Sequence, residues 1–192
     1  MSSALSPAIT NLSSGDTALR RAAANEIYRR GREPADRVAH EWWKNLEFAA
    51  LFGVAPAVTV GLAVKPNTFV RIREANGSPP LATVPPDQDA EEFELHFPDD
   101  ISLDVLTTRD PKGEGAIAKY LAKFGEGVQQ VEFRCANVNR ATQILKEKFG
   151  VSPIYPQTRP GADGTRVNFF LVPLPSGGGK VLVELYERSG GV

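Results

Sequence analysis

The feature that most constrains this chain is a repeated order of elements, with no repeat of the residues themselves. VTVGLAV (58–64) reads as a short strand, and PNTFVRIREANG (66–77) as a helix opened by Pro66. LATVPP is extended, and EEFELHF (91–97) and ISLDVLTT (101–108) form a hairpin across Pro-Asp-Asp. After a linker helix, GAIAKYLAKFG (115–125), the order returns. VQQVEFRC (128–135) is a strand and NRATQILKEKFG (139–150) a helix with Ala141, Ile144, Leu145 and Phe149 on one face. SPIYPQ (152–157) is extended, and RVNFFLVPL (166–174) and KVLVELYE (180–187) are strands around Pro-Ser-Gly-Gly-Gly. Two successive β-α-β-β-β modules, 57–108 and 126–187, predict one α+β domain over 57–187.

The residues before the repeat read differently. Residues 1–15 are small and Ser-rich, which predicts a flexible tail. Residues 16–55 predict a helical extension packed outside the domain. Asp16 caps a first helix that Gly31 ends, and Pro34 opens a second that stops at Gly53. In the second helix Trp42 and Trp43 are read as anchors onto the sheet, and His40 as a surface residue.

Composition removes several functions. Lys and Arg total 22 against 23 Asp and Glu, so no bulk positive charge is available to hold a nucleic acid. A single Cys, Cys135, excludes an intrachain disulfide and a thiolate zinc cluster, and is read as an inert buried thiol. Two histidines, His40 and His96, are too few for a His-rich metal centre. With neither an apolar run of membrane-spanning length nor a secretory leader, the expectation is a cytoplasmic protein. Its expected partner is a small-molecule ligand or substrate, with no nucleic acid and no membrane; a homodimer is compatible with this.

Placing the modules in parallel aligns Thr59-Val-Gly with Gln130-Val-Glu, and Asp104 with Glu184. The first strand of each module thus carries a polar residue, Thr59 or Gln130. The last carries a carboxylate among apolar neighbours, Asp104 or Glu184. Burying such a carboxylate is costly without a partner, so two at equivalent positions suggest a shared purpose. Strand alternation puts Glu132 and Arg134 on the face of Gln130. Two carboxylates in one pocket, Glu132 and Glu184, repel and lift one proton affinity, which suits proton abstraction beside a carbonyl. A solvated Glu132 at the pocket rim is the competing reading. His96 is either a pocket acid/base or an exposed-face residue.

GEGAIAKYLAKFGEGVQQVEF, RPGADGTRVNFFLVP and GGKVLVELYE resemble the linker, the loop with its strand, and the last strand of methylmalonyl-CoA epimerases. These belong to the vicinal oxygen chelate superfamily, the glyoxalase and bleomycin-resistance fold. In that family four strands each give one ligand to a divalent metal that stabilises an enolate. The resemblance places those positions on Thr59, Asp104, Gln130 and Glu184. Both family histidines are replaced here, by Thr59 and Gln130, and both acidic positions are kept. The remaining Asp104, Glu184 and Gln130 are oxygen donors, suited to weak binding of Mg²⁺, Mn²⁺ or Ca²⁺ in preference to Zn²⁺. The alternative is a metal-free pocket whose carboxylates pair with Arg134 or Gln130.

Two functions follow. One is a divergent epimerase-like isomerase or lyase acting by proton transfer beside a carbonyl, on a small carboxylic acid or acyl thioester. Glu184 and Glu132 are its catalytic candidates, and Gln130, Thr59, Arg134 and His96 its substrate-binding candidates. The other is a non-catalytic, drug-sequestering type of binding protein. Arg134, Arg159 and Arg166 are the basic residues available near the pocket, too few to argue for CoA phosphates.

Overall fold

The computed structural model describes residues 5–188. The chain divides into two compact units, one made of residues up to Gly31 with Thr59–Gln129, the other of Arg32–Val58 with the residues from Gln130 onward. Each contains hydrogen-bonded strands packed against helices.

In the first unit β1 (Val58–Ala63) runs parallel to β3 (Ile101–Thr107), and β2 (Glu91–Phe97) pairs antiparallel with β3. The β2–β3 turn carries Asp99 at φ 66° and Asp100 at φ 56°, left-handed positions that Asp tolerates better than most residues. In place of the extended segment expected at LATVPP there is no strand, but the Ala82 amide still donates to the Glu92 carbonyl at 3.0 Å. Alternation sends Phe93, Leu95, Leu103, Val105, Val60 and Leu62 into the core. Phe69 and Ile72 of α4 (Pro66–Ala75) complete it, with the Phe69 and Phe93 rings 4.8 Å apart.

The N-terminal residues belong to this core. Where a loose tail was expected, Ser6–Asn11 form α1, and Leu5, Ile9 and Leu12 are buried in the same cluster as Phe93. The single helix α2 (Thr17–Ala39) replaces the two helices expected on either side of Gly31. Its start is as expected, with Asp16 Oδ1 accepting from the Ala18 amide at 2.8 Å. Gly31 is not a stop. A Cβ there would lie 2.5 Å from Val60 Cγ1 and 3.2 Å from Val128, so Gly31 is where the helix backbone meets β1. Pro34 sits inside the helix, where it withholds one backbone hydrogen bond. Ion pairs one turn apart, Glu26–Arg30, Arg32–Asp36 and Glu33–Arg37, bracket it. Ala23, Ala24 and Ile27 bury against the first unit's core, so the extension is integral to the fold.

In the second unit the strand order is β4 (Gly127–Arg134), β7 (Lys180–Glu187), β6 (Arg166–Pro173) and β5 (Arg159–Pro160). β4 and β7 are parallel and the other pairs antiparallel. Val131, Phe133, Val183, Leu185 and Phe170 are buried on the face covered by α6 (Val138–Phe149), whose Ala141, Ile144 and Leu145 are buried too. Gly150 at φ 65° closes that helix in the left-handed conformation. A 3₁₀ turn (Trp42–Lys44) and α3 (Leu46–Ala50) bring an aromatic cluster, in which the Trp43 ring lies 5.4 Å from Phe133 of β4. The anchoring expected of the tryptophans is therefore made by Trp43, while Trp42 packs 6.0 Å from Phe48. α5 (Ala116–Phe124) is the linker helix. Cys135 is buried, and desolvation pushes its thiol up to about 12.

Among the described residues no helix is long and apolar enough to cross a membrane.

Three outcomes follow. Gly31→Ala gains helix propensity but forces a methyl into stiff Val60, and should lower stability by about 1–2 kcal/mol in denaturant melts. A chain beginning at residue 55 loses α1 and α2 from the first unit's core and should show no cooperative thermal transition by far-UV circular dichroism. Asp89 holds the loop after β3 by accepting from the Thr108 hydroxyl and from the amides of Arg109 and Asp110 at 3.0 and 3.1 Å. These bonds, the Thr108 hydroxyl first, hold its carboxyl below the usual range. The stabilisation is therefore present above the unfolded carboxylate pKa and is lost as pH falls through the folded one. Asp89→Asn should cost roughly 1 kcal/mol at pH 7, and the gap to wild type should narrow below about pH 4.

Candidate active site

The register of β4 against β7 sets the geometry. Glu132 is the direct partner of Glu184 across this parallel pair, and both side chains are buried away from α6. Adjacent strands are about 4.8 Å apart, so two carboxylates stand side by side. Gln130, two residues before Glu132 on the same face, joins them. Its Nε2 donates to Glu184 Oε2 at 2.7 Å and to Glu132 Oε1 at 3.0 Å. Gln130, Glu132 and Glu184 are 8%, 8% and 9% exposed, so each hydrogen bond is made with little competition from water. Glu132, for which a solvated rim position was the competing reading, is as buried as its neighbours.

The same face continues over β6 and β5. Glu184 is opposite Phe169, giving a row Glu132, Glu184, Phe169. One step along, Arg134 is opposite Tyr186, Tyr186 opposite Val167, and Val167 opposite Arg159. An acidic row thus lies beside a row with an arginine at each end. Arg134 is exposed, and among the described residues it forms no ion pair with either carboxylate. The partner these carboxylates share is Gln130.

The first unit repeats the pattern. Gly61 is the register partner of Asp104, as Glu132 is of Glu184, and Thr59 stands two residues before Gly61 as Gln130 does before Glu132. Thr59 and Asp104 are 6% and 7% exposed. The alignment made on sequence alone is the alignment of the strand registers, with glycine in the first unit where the second has its extra acid. His96 lies on the Asp104 face, well exposed, with Nδ1 3.1 Å from Ser102 Oγ and Nε2 3.1 Å from Glu94. His40 is a surface residue 3.8 Å from Glu41. Gly177 and Gly178 turn the β6–β7 hairpin at positive φ.

Metal ligation was expected of Asp104, Gln130 and Glu184. Among the described residues no group of three or more His, Cys, Asp or Glu is arranged to hold a metal ion. In the second unit the Gln130 N–H donors point to both carboxylates, which is where a cation between the acids would be. This donor set does not fit a divalent ion as arranged, and no chemical step below is routed through one.

Sequence reasoning located the acids but missed Tyr186, Phe169 and Tyr155. Tyr186 was within reach, two residues beyond Glu184 on the same face. Phe169 and Tyr155 depend on the β6 register and on a loop with no periodicity.

No family model matches the chain, and no curated relative does either. Solved structures do. Methylmalonyl-CoA epimerase from Mycobacterium tuberculosis is 27% identical, with a TM-score of 0.54, over 69% of this chain and 87% of that one. A methylmalonyl-CoA epimerase in complex with methylmalonyl-CoA and NH₄⁺ is 25% identical, with a TM-score of 0.53, over 69% and 94%. A hypothetical protein from Bacillus halodurans is 25% identical, with a TM-score of 0.55, over 70% and 94%. With β-α-β-β in the first unit and β-α-β-β-β in the second, the chain has the α+β fold of the vicinal oxygen chelate superfamily, in the form of the methylmalonyl-CoA epimerases.

Proposed function

We propose that this chain is an epimerase-like enzyme that exchanges a proton at a carbon beside a carbonyl, on a small acyl thioester or carboxylic acid, and that Glu132 and Glu184 carry the proton. The observation that supports this most is the Gln130 amide shared between two buried carboxylates in register. Side by side, two carboxylates titrate as a pair, because ionising the first makes ionising the second harder. A pair that holds one proton between its two carboxylates offers one base and one acid. The base takes the α-hydrogen as a proton, and the C–H electrons move onto the carbon and its carbonyl as an enolate. The acid form of the pair returns a proton to that carbon, and return to the opposite face inverts the centre. Gln130 holds both carboxylates in place through the exchange.

The test is exchange of the α-hydrogen of methylmalonyl-CoA in D₂O, followed by proton NMR. Wild type should exchange it, and Glu184→Gln and Glu132→Gln should each reduce the rate by roughly 10²-fold or more with the melting temperature kept. Wild-type binding without exchange would overturn this reading and leave the sequestering one. Gln130→Leu leaves two buried carboxylates without their shared donor and should lower stability by about 1–3 kcal/mol at neutral pH, measured by urea unfolding.

A further inference from the structure

We propose that the side-chain amide of Gln130 takes the place of a divalent cation between Glu132 and Glu184, so that the acid pair acts without a metal; this rests on the assignment of that pair as the site of proton transfer. The first observation is where the amide hydrogens go. One nitrogen, Gln130 Nε2, donates to Glu184 Oε2 at 2.7 Å and to Glu132 Oε1 at 3.0 Å. An amide nitrogen carries two hydrogens, so both are engaged by the pair. The two acids are register partners on β4 and β7, and Gln130 is two residues before Glu132 on the same face. The amide therefore stands where a cation bridging the two carboxylates would stand. It meets both of them with hydrogen bonds of the stronger, charge-assisted kind.

The second observation is what a cation would find there. To become a ligand, Gln130 would have to turn its amide over, which gives up both hydrogen bonds and sets its oxygen beside two carboxylates. The acids and that oxygen come from three side chains, whereas hard divalent ions take about six to eight oxygens. Zn²⁺ favours imidazole and thiolate, and Gln130 offers neither. The neighbours on this face do not complete the set. Phe169 is opposite Glu184 on β6, and the Tyr155 ring meets Phe169 edge-on at 6.1 Å. Leu182 is two residues before Glu184 on β7. Among the described residues no three His, Cys, Asp or Glu are arranged to hold a metal, whether or not Asp104 is counted. Mg²⁺ in particular keeps several waters, and Gln130, Glu132 and Glu184 are all buried.

The difference between amide and cation lies in charge and in permanence. A divalent ion cancels the charge of both carboxylates, whereas a neutral amide leaves it in place. The amide is also part of the chain, so no chelator removes it. A substitution that keeps the size of Gln130 and turns its donors into an acid should therefore reverse the preference. Gln130→Glu puts a third carboxylate where both donors were, and a buried cluster of that kind needs a cation.

The probes are Mg²⁺, Mn²⁺ and Zn²⁺ alone, titrated calorimetrically into the full chain after EDTA treatment. Wild type should titrate like Glu184→Gln with each ion, and EDTA should leave its melting temperature unchanged. Gln130→Glu should bind Mn²⁺ roughly 10-fold or more tightly than wild type and melt higher in its presence. Stoichiometric binding that wild type shows and Glu184→Gln lacks overturns the proposal, and so does a folded Gln130→Glu variant that gains no affinity for Mn²⁺. The wild-type titration decides the matter if that variant does not fold. Deuterium exchange of methylmalonyl-CoA in EDTA separates this inference from the catalytic reading. Exchange that appears only when a divalent ion is added would overturn the metal-free pair and keep proton transfer. No exchange with or without ions, beside no metal binding at the acids, would sink the catalytic reading alone.

Discussion

A single amide, the Nε2 of Gln130, decides what the second unit can be. Two carboxylates pressed together in a nearly dry place would repel each other enough to spread the strands or draw in water. A bridging donor offsets this without adding charge. Everything else about the site follows from keeping those three side chains together. β4 and β7 must be parallel and in this register, since a slip of one residue would turn either Glu132 or Glu184 toward α6. The apolar face behind them, with Val131, Phe133, Val183 and Leu185, fixes that register, because the same slip would carry the two buried side chains of the slipped strand out of the core. The packing of the helix side therefore holds the acid pair of the opposite side in place.

The two units show how far one scaffold can diverge while keeping its register. Both place a polar residue, a variable position and a carboxylate at matching points on parallel strands. In the first unit the variable position is Gly61 and in the second it is Glu132. The backbone pairing is shared and the charge is not, so the acid pair is a property of one half of the duplication.

How much of this was legible in the sequence depends on the range of the forces involved. The strands at 91–97 and 180–187 were readable to the residue, because alternation is a local signal and each is bounded by turn residues. The pairing of Asp104 with Glu184 as equivalent positions was readable from the repeat alone. Gly31 was misread because glycine has two uses: it can end a helix by adopting a left-handed conformation, or continue one where a neighbour comes too close for a Cβ. Only the position of Val60 tells them apart. The tail was misread because small and hydroxyl residues around Leu5, Ile9 and Leu12 dilute an apolar stripe that has meaning only against the sheet it covers. The bridging role of Gln130 was one of several alternatives in the sequence, since its neighbours across β7 are set by a pairing 54 residues distant.

Cys135 sits at the end of β4, one residue beyond Arg134, and it is the chain's one cysteine. Burial keeps its thiol protonated across the whole physiological range. Burial and a protonated thiol therefore make the native cysteine a slow target for thiol reagents. A reporter cysteine introduced on an exposed loop would therefore react with a fluorophore or spin label well ahead of Cys135, which favours single-site spectroscopy on the native background.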